Sequence, residues 1–365
     1  MSAQGTADMV PKKLLIVRLV AMGDVIHTLH AAARLRQSFP DSQIGWVIEE
    51  RWAELLCAKG APRIGPTTTG RPLVDFVHAV DTKTWRKSPL SSPTRQQFSA
   101  AIQELRNENY DIAIDFQGAI KSAILAKLSR PKTVWGMQNP REAPARMFYA
   151  HRVQTRGAHV IQQYESLASA VLEFAGISGK DVAPKIQLPH DDHASAAVEE
   201  MLQDANRPIV LLSPGAGWGA KQWPVERYGE VAAGLTKNGC TVLVNYGPGE
   251  EPLAQAVENA SQGSAKGVCC SIAELIALTR RSKLFIGGDT GPLHLAAAFG
   301  VPVVAIFGPT DPARNGPYRT RSIVIRNPAS KNSLSHTSEP DPGLLQITAS
   351  EVLIAARQLL EHSHA

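Results

Sequence analysis

Four short loops in this chain carry residues whose types and spacing could act on a phosphorylated substrate. Asp289-Thr290-Gly291-Pro292 follows the apolar run Leu284-Phe285-Ile286 and precedes a helical run, Leu293 to Phe299, that Gly300 stops. Proline suits a first helical position because it has no N–H to lose there. A helix starting just past the carboxyl end of a strand turns free N–H groups and partial positive charge outward, where a phosphate is favoured. An ordinary strand-to-helix turn would use the same glycines for geometry alone, and this loop by itself does not decide. The second loop, Ser213 to Pro224 (SPGAGWGAKQWP), is rich in glycine and contains Lys221. It lacks the GK[ST] ending of a P-loop, yet its backbone N–H groups could cradle phosphate with Lys221 as counter-charge. In the third, Gly247-Pro248-Gly249-Glu250-Glu251, the carboxylates suit ribose hydroxyls and equally suit the start of a helix. The fourth, Ala21-Met22-Gly23-Asp24, follows the first strand. Aspartate is a favoured helix N-cap, and this is also where α/β domains put functional groups. Both readings of Asp24 are compatible. His294 taken alone reads as a packed helix histidine.

The elements that must hold these loops alternate strand and helix. Lys13–Leu19 (KLLIVRL), Gln43–Ile48, Val74–Val80 and Asp111–Phe116 read as buried parallel strands of a first half. Helices are expected over Val25–Gln37, Gln96–Glu108, Ala119–Leu128 and Tyr164–Ala175, with Asp81–Arg95 as a basic loop holding Trp85-Arg86-Lys87. A second half repeats the pattern: strands at Pro208–Leu212, Thr241–Asn245, Leu284–Ile286 and Val301–Phe307, with helices at Asp192–Asp204, Pro224–Leu235, Ile272–Arg280 and Thr348–His362. The opening βαβ unit lacks G-x-G-x-x-G, which disfavours a dinucleotide cofactor.

A length of 365 residues with 44% hydrophobic content indicates two domains with sizeable cores. The longest apolar runs are too short to span a bilayer. The opening MSAQGTADMVPKK has no apolar signal core and is expected to be a loose tail over 1–12. Cys57, Cys240, Cys269 and Cys270 show no metal-ligand spacing and read as reduced thiols of a cytoplasmic protein. The net charge of +5 is uneven: residues 1–160 hold 22 Lys+Arg against 13 Asp+Glu, whereas residues 161–365 hold 16 against 20. A basic first half indicates an anionic partner. No aromatic-basic RNA motif accompanies the charge, so nucleic acid is not expected.

Four stretches together resemble a known family: Met22-Gly23-Asp24-Val25-Ile26-His27-Thr28; Tyr110 to Gly118 (YDIAIDFQG) with Lys121-Ser122; Lys221-Gln222-Trp223-Pro224; and Asp289-Thr290-Gly291-Pro292-Leu293-His294-Leu295 with Gly308-Pro309-Thr310-Asp311-Pro312. Their order, with Arg141-Glu142 before Phe148-Tyr149, resembles the bacterial lipopolysaccharide heptosyltransferases of glycosyltransferase family 9, most like the heptosyltransferase I members. The resemblance implies an α/β glycosyltransferase-B fold, two Rossmann-like domains facing across a cleft. It places an acceptor-binding domain at 13–180, a linker and connecting helix at 181–206, a nucleotide-sugar domain at 207–345, and a last helix, 346–365, crossing back to the first domain.

It also implies a reaction. ADP-heptose would give its sugar, with inversion, to the Kdo of Kdo2-lipid A at the cytoplasmic face of the inner membrane. Alternatives are an already heptosylated core as acceptor, a nucleotide-sugar epimerase on the same fold, and a silent nucleotide-sugar binder. Asp24 would be the general base and Lys221 the cation on the leaving ADP. Ser213, Gly215, Lys221, Glu250, Asp289, Thr290, Gly291 and His294 would shape the donor site. His27, Lys83, Arg86, Gln117, Lys121, Arg141 and Arg146 would meet the acceptor. No Asp-x-Asp motif is present, so fixed cations would replace a metal, and no cofactor is expected. A monomer in peripheral contact with the membrane is expected.

Overall fold

Six short runs of the first half, each almost wholly buried where central, pair side by side in parallel. They are β1 (Lys13–Val17), β2 (Gln43–Glu49), β3 (Phe76–Val80), β4 (Ile112–Asp115), β5 (Thr133–Met137) and β6 (His151–Val153), in the order β3-β2-β1-β4-β5-β6. The second half repeats the order with β7 (Ile209–Ser213), β8 (Thr241–Tyr246), β9 (Ala265–Cys269), β10 (Leu284–Gly288), β11 (Val303–Phe307) and β12 (Ser322–Arg326): β12-β11-β10-β7-β8-β9. The computed structural model describes residues 10–177, 185–203, 206–333 and 337–361. Of the expected tail over 1–12, residues 1–9 lie outside the described residues, as do the linker residues 181–184, Asp204 at the end of an expected helix, and residues 362–365.

In both sheets the chain runs outward from its first strand, then returns to that strand's other side. The direction reverses between β1 and β4, and between β7 and β10. Loops leaving the carboxyl ends of such strand pairs diverge and leave a crevice, the usual ligand position of an open α/β sheet. The four loops singled out above leave β1, β7, β8 and β10 at those ends.

Helices cover the sheets. In the first unit they are α1 (Met22–Ser38), α2 (Thr82–Lys87), α3 (Ser92–Asn107), α4 (Ile120–Leu128) and α5 (Val160–Phe174). Val25, Ile26, Leu29 and Ala32 of α1 are buried, and α1 packs along α5. The basic stretch Asp81–Arg95 is helical over much of its length rather than a loop. Asp81 caps α2, its Oδ1 accepting from Thr84 N–H at 2.9 Å, and Ser91 caps α3, its Oγ accepting from Thr94 N–H at 3.3 Å. With Pro93 in the first turn of α3, these caps outweigh the polar composition that read as loop.

The second unit adds α6 (Asp192–Met201), α7 (Val225–Lys237), α8 (Glu251–Ala260), α9 (Ile272–Arg281), α10 (Gly291–Ala298), α11 (Pro312–Asn315) and α12 (Ala349–Glu361). The division falls between His190 and Asp191. The expected connecting helix therefore belongs to the second unit, where α6 packs on α9 and Glu199 meets Arg281 at 3.2 Å. The apolar stripe of α12, Val352, Ala355, Ala356 and Leu359, is buried in one core with Val231 and Leu235 of α7 and with Leu284 of β10. Trp223 Nε1 and Arg227 Nη1 donate to Ile347 O at 3.0 and 2.6 Å, fixing the approach to α12.

Candidate functional site

In the second unit the expected donor residues gather at the reversal point between β7 and β10. Lys221 stands on a short turn after β7, and Asp289 follows β10. Lys221 Nζ donates to Asp289 Oδ2 at 2.6 Å and to its carbonyl O at 3.2 Å, so the ion pair spans the two strand ends. Asp289 Oδ1 lies 3.0 Å from His294 Nε2, one turn into α10. Trp218 stacks beneath the ammonium, with its ring centroid 4.6 Å from Nζ. Burial alone would raise the Asp289 pKa. The hydrogen bond and charge of His294, with Lys221, reverse this and hold the carboxyl well below the usual carboxylate range. An ammonium has three donors; two go to Asp289, leaving one for a ligand oxygen.

The start of α10 adds backbone donors. Thr290 is its N-cap residue, but its Oγ1 turns back to Gly288 O at 3.3 Å and does not cap the helix. Pro292 has no N–H, so the N–H groups of Gly291 and Leu293 remain as the first-turn donors. Ser213 ends β7 in the interior, and its carbonyl accepts from Tyr228 OH at 3.4 Å. Glu250 accepts from Gly247 N–H at 2.9 Å and lies so close to Gly215 that a Cβ there would overlap its carboxylate. Glycine at 215 thus lets the two loops touch. Ser213, Gly215 and Glu250 line up along the β7–β8 side, and Lys221, Asp289, Thr290, Gly291 and His294 along the β7–β10 side.

The first unit places Asp24 at the equivalent reversal, between β1 and β4. Its carboxylate lies at the first turn of α1, where Oδ2 accepts from Ala21 N–H at 3.3 Å and pairs with Arg18 Nη2 at 2.6 Å. The Asp24 side chain is 37% exposed and that of Arg18 only 5%. Asp24 can therefore meet a substrate, whereas Arg18 lies beneath it. Arg18 also donates to Phe116 O at 2.8 Å and lies over the Tyr164 ring at 5.5 Å. Burial opposes its charge, but Asp24, Tyr164 and Asp115 overcome that and raise its pKa. Arg18 went unnoticed in the sequence; the signal was a cation at the end of an otherwise apolar strand.

Two residues expected at the acceptor are buried in this structure. Gln117 is buried, and its Oε1 accepts from Leu19 and Val20 N–H at 2.9 and 3.3 Å. It fixes the loop before Asp24. His27 is buried between α1 and α5, edge-on to His159 with centroids 5.8 Å apart. Both residues are drawn inward because they lie on the buried side of their turns.

Behind Gln117 is a second buried polar group. Asp115 is fully buried and accepts from Tyr149 OH at 2.7 Å, Ser122 Oγ at 2.9 Å, and the N–H groups of Gln117 and Gly118 at 2.9 and 3.1 Å. Burial still raises its pKa against all four. The network sets the turn after β4, where Gly118 adopts φ +66°, a left-handed conformation that favours glycine.

The remaining acceptor candidates are at the surface. Lys83 and Arg86 are exposed on α2, and Arg141 and Arg146 are exposed after β5. Glu142 Oε2 accepts from Ile120 N–H at 2.8 Å, which ties that segment to the start of α4. Lys121 Nζ donates to Thr82 Oγ1 at 3.1 Å and lies 3.9 Å from Glu49. Burial lowers its pKa, Glu49 opposes that, and Arg86 and Arg51 lower it further. Arg51, Arg86 and Lys121 therefore share one field. Among the described residues no group of three or more His, Cys, Asp or Glu could hold a metal ion.

Residues 98–342 match the family described as glycosyltransferase family 9 (heptosyltransferase). The chain belongs to this family. It is a glycosyltransferase. Lipopolysaccharide heptosyltransferase 1 of Escherichia coli K12 is 31% identical over 328 residues, 87% of this chain and 94% of that protein. The protein of the same name from Pseudomonas aeruginosa PAO1 is 28% identical over 323 residues, 86% and 83% of the two chains. The structure of E. coli heptosyltransferase WaaC with ADP-2-deoxy-2-fluoro heptose superimposes with a TM-score of 0.73 at 27% identity, covering 96% of this chain and 99% of that one. The family and the pair of Rossmann-like domains expected from the sequence are thus borne out.

Proposed function

We propose that this family 9 glycosyltransferase moves L-glycero-D-manno-heptose from ADP-heptose to the Kdo of the lipopolysaccharide inner core, with Kdo2-lipid A as acceptor. Likeness to lipopolysaccharide heptosyltransferases 1 over most of both chains supports the substrates. The observation that carries the chemistry is the solvent-reachable Asp24 carboxylate at the first unit's reversal point. A sugar hydroxyl is a poor nucleophile until a base takes its proton. Asp24 takes that proton as the acceptor oxygen bonds to the anomeric carbon from the face opposite ADP. The bond from that carbon to the phosphate oxygen breaks, and ADP leaves with the electron pair, so the anomeric centre inverts.

The departing diphosphate gains charge. Lys221 and the first-turn N–H groups of α10 meet it as fixed positive groups, and the reading requires no metal. Asp289 and His294 hold Lys221 in place. The enzyme works as a monomer on the cytoplasmic face of the inner membrane, where its lipid acceptor is anchored. The test is ADP release from ADP-heptose with Kdo2-lipid A and heptosylated core in parallel, with and without EDTA. Release with Kdo2-lipid A, unaffected by EDTA, is the expected result. Release with heptosylated core alone would refute the acceptor, and abolition by EDTA would refute the fixed-cation account.

A further inference from the structure

The α2–α3 hairpin is more basic and more exposed than its two acceptor candidates, Lys83 and Arg86, account for. Between Asp81 and Glu104 there is no acidic residue, while Lys83, Arg86, Lys87 and Arg95 are all exposed. None of these four is in an ion pair among the described residues. At the tip, Ser88 O accepts from Ser91 N–H at 3.2 Å, and the turn presents Leu90 with 83% of its surface exposed. The hairpin is braced from behind: Trp85 of α2 and Phe98 of α3 pack edge to face with centroids 5.2 Å apart. The protruding leucine is therefore held out by a built support.

We propose that this tip is a docking surface for an anionic phospholipid bilayer. It rests on the reading above in that the acceptor is anchored in such a bilayer. An isolated apolar side chain ringed by cations and small hydroxyls fits a headgroup layer, with leucine entering the acyl boundary and the cations meeting lipid phosphates. A nucleic acid fits less well, since the two aromatic rings are engaged edge to face with each other and do not present a free stacking platform for bases. A protein partner would call for a broader apolar patch than one leucine.

The test uses the full chain without either substrate, sedimented with vesicles of phosphatidylcholine alone or mixed with phosphatidylglycerol. Binding to the mixed vesicles only, weakened by salt, is expected. Lys87→Glu with Arg95→Glu should weaken it about fivefold per cation lost, so at least about 25-fold. Leu90→Ser should weaken it about tenfold. Each variant should keep the wild-type melting temperature and its heptose transfer to a delipidated, water-soluble Kdo acceptor. Equal binding to neutral vesicles, or variants that bind like wild type, would overturn the proposal. So would a charge variant that keeps vesicle binding but loses transfer to the soluble acceptor, since the cations would then serve the acceptor itself. Vesicle binding as expected with no transfer to any acceptor would support the dock while refuting the assigned reaction.

Discussion

Asp24→Asn separates chemistry from folding at one position. The amide keeps the size of the carboxylate and can still accept from Ala21 N–H, but it cannot take a proton at neutral pH. General-base catalysis is worth about 10²–10⁴ in rate, so turnover should fall by that factor, roughly 3–5 kcal/mol in barrier. The structural cost works out smaller. The substitution takes the partner from Arg18, which is buried, and breaking a fully buried pair costs about 3–5 kcal/mol. Here the Asp24 side chain is 37% exposed, so water screens the pair, and Arg18 keeps Phe116 O and the Tyr164 face. About 1–2 kcal/mol is the discounted figure. In a unit of this size each kcal/mol moves the melting point by about 2–4 °C, so a drop of roughly 2–8 °C is expected. ADP affinity should stay within about threefold, because no donor-site contact is touched. The assays are coupled ADP release, a thermal melt and ADP titration by calorimetry. Turnover within about tenfold of wild type would refute Asp24 as base. Collapse of ADP binding would show that residue 24 acts through the donor site.

Lys221→Ala should weaken ADP binding and lower the rate together, because it removes a cation from the leaving group and leaves the buried Asp289 with His294 alone. Calorimetry and initial rates check this, and unchanged values would remove Lys221 from the mechanism. Asp289 also predicts an acid limb of stability. Its folded pKa lies below the ordinary 3.8, so its stabilisation is fully present above that value and is lost as pH falls beneath it. Asp289→Asn should therefore be less stable than wild type at neutral pH and show a shallower loss below pH 3.8 in acid titrations followed by circular dichroism. Tyr149→Phe removes one of four donors to the buried Asp115 and should cost about 1–3 kcal/mol in urea unfolding, with Asp24 chemistry weakened only through the Gln117 turn.

Much of this fold was legible because the central strands are continuous apolar runs and the helices carry clear stops. β5, β6, β9 and β12 were missed for a physical reason. β6, β9 and β12 are sheet edges, where one side is wet and the apolar signal is diluted, as in Ala265–Cys269 with Lys266 and Cys269 exposed, whereas β5 is buried but its run Thr133–Met137 is broken by Gly136. The basic segment at 81–95 was read by composition, while its caps were the better guide. At the site, types and spacing pointed correctly to strand ends. They could not tell a side chain turned outward from one turned inward: Asp24 and Gln117 follow paired strands, yet one meets solvent and the other ties down a loop. In the last helix the regular stripe of Val352, Ala355, Ala356 and Leu359 was the legible part, and it covers α7 and the adjoining sheet.

The two units share a strand order but set opposite electrostatics at the same topological point. At β7 and β10 both members are largely buried, Lys221 being 12% and Asp289 7% exposed, and the ionised Asp289 orients the ammonium so that its remaining N–H can meet an anion. At β1 and β4 the cation is the buried partner: Arg18 lies beneath Asp24, which offers negative charge outward. An ion pair in this position thus presents whichever member is nearer the solvent, and the deeper member orients it. On this view, exchanging which charge is deep should invert what a unit can bind. Lys221→Asp with Asp289→Lys should keep the pair, and with it most of the fold, but abolish ADP binding in calorimetry. Retained ADP affinity in that swap would mean that the backbone N–H groups of α10, and not the outward charge, hold the nucleotide.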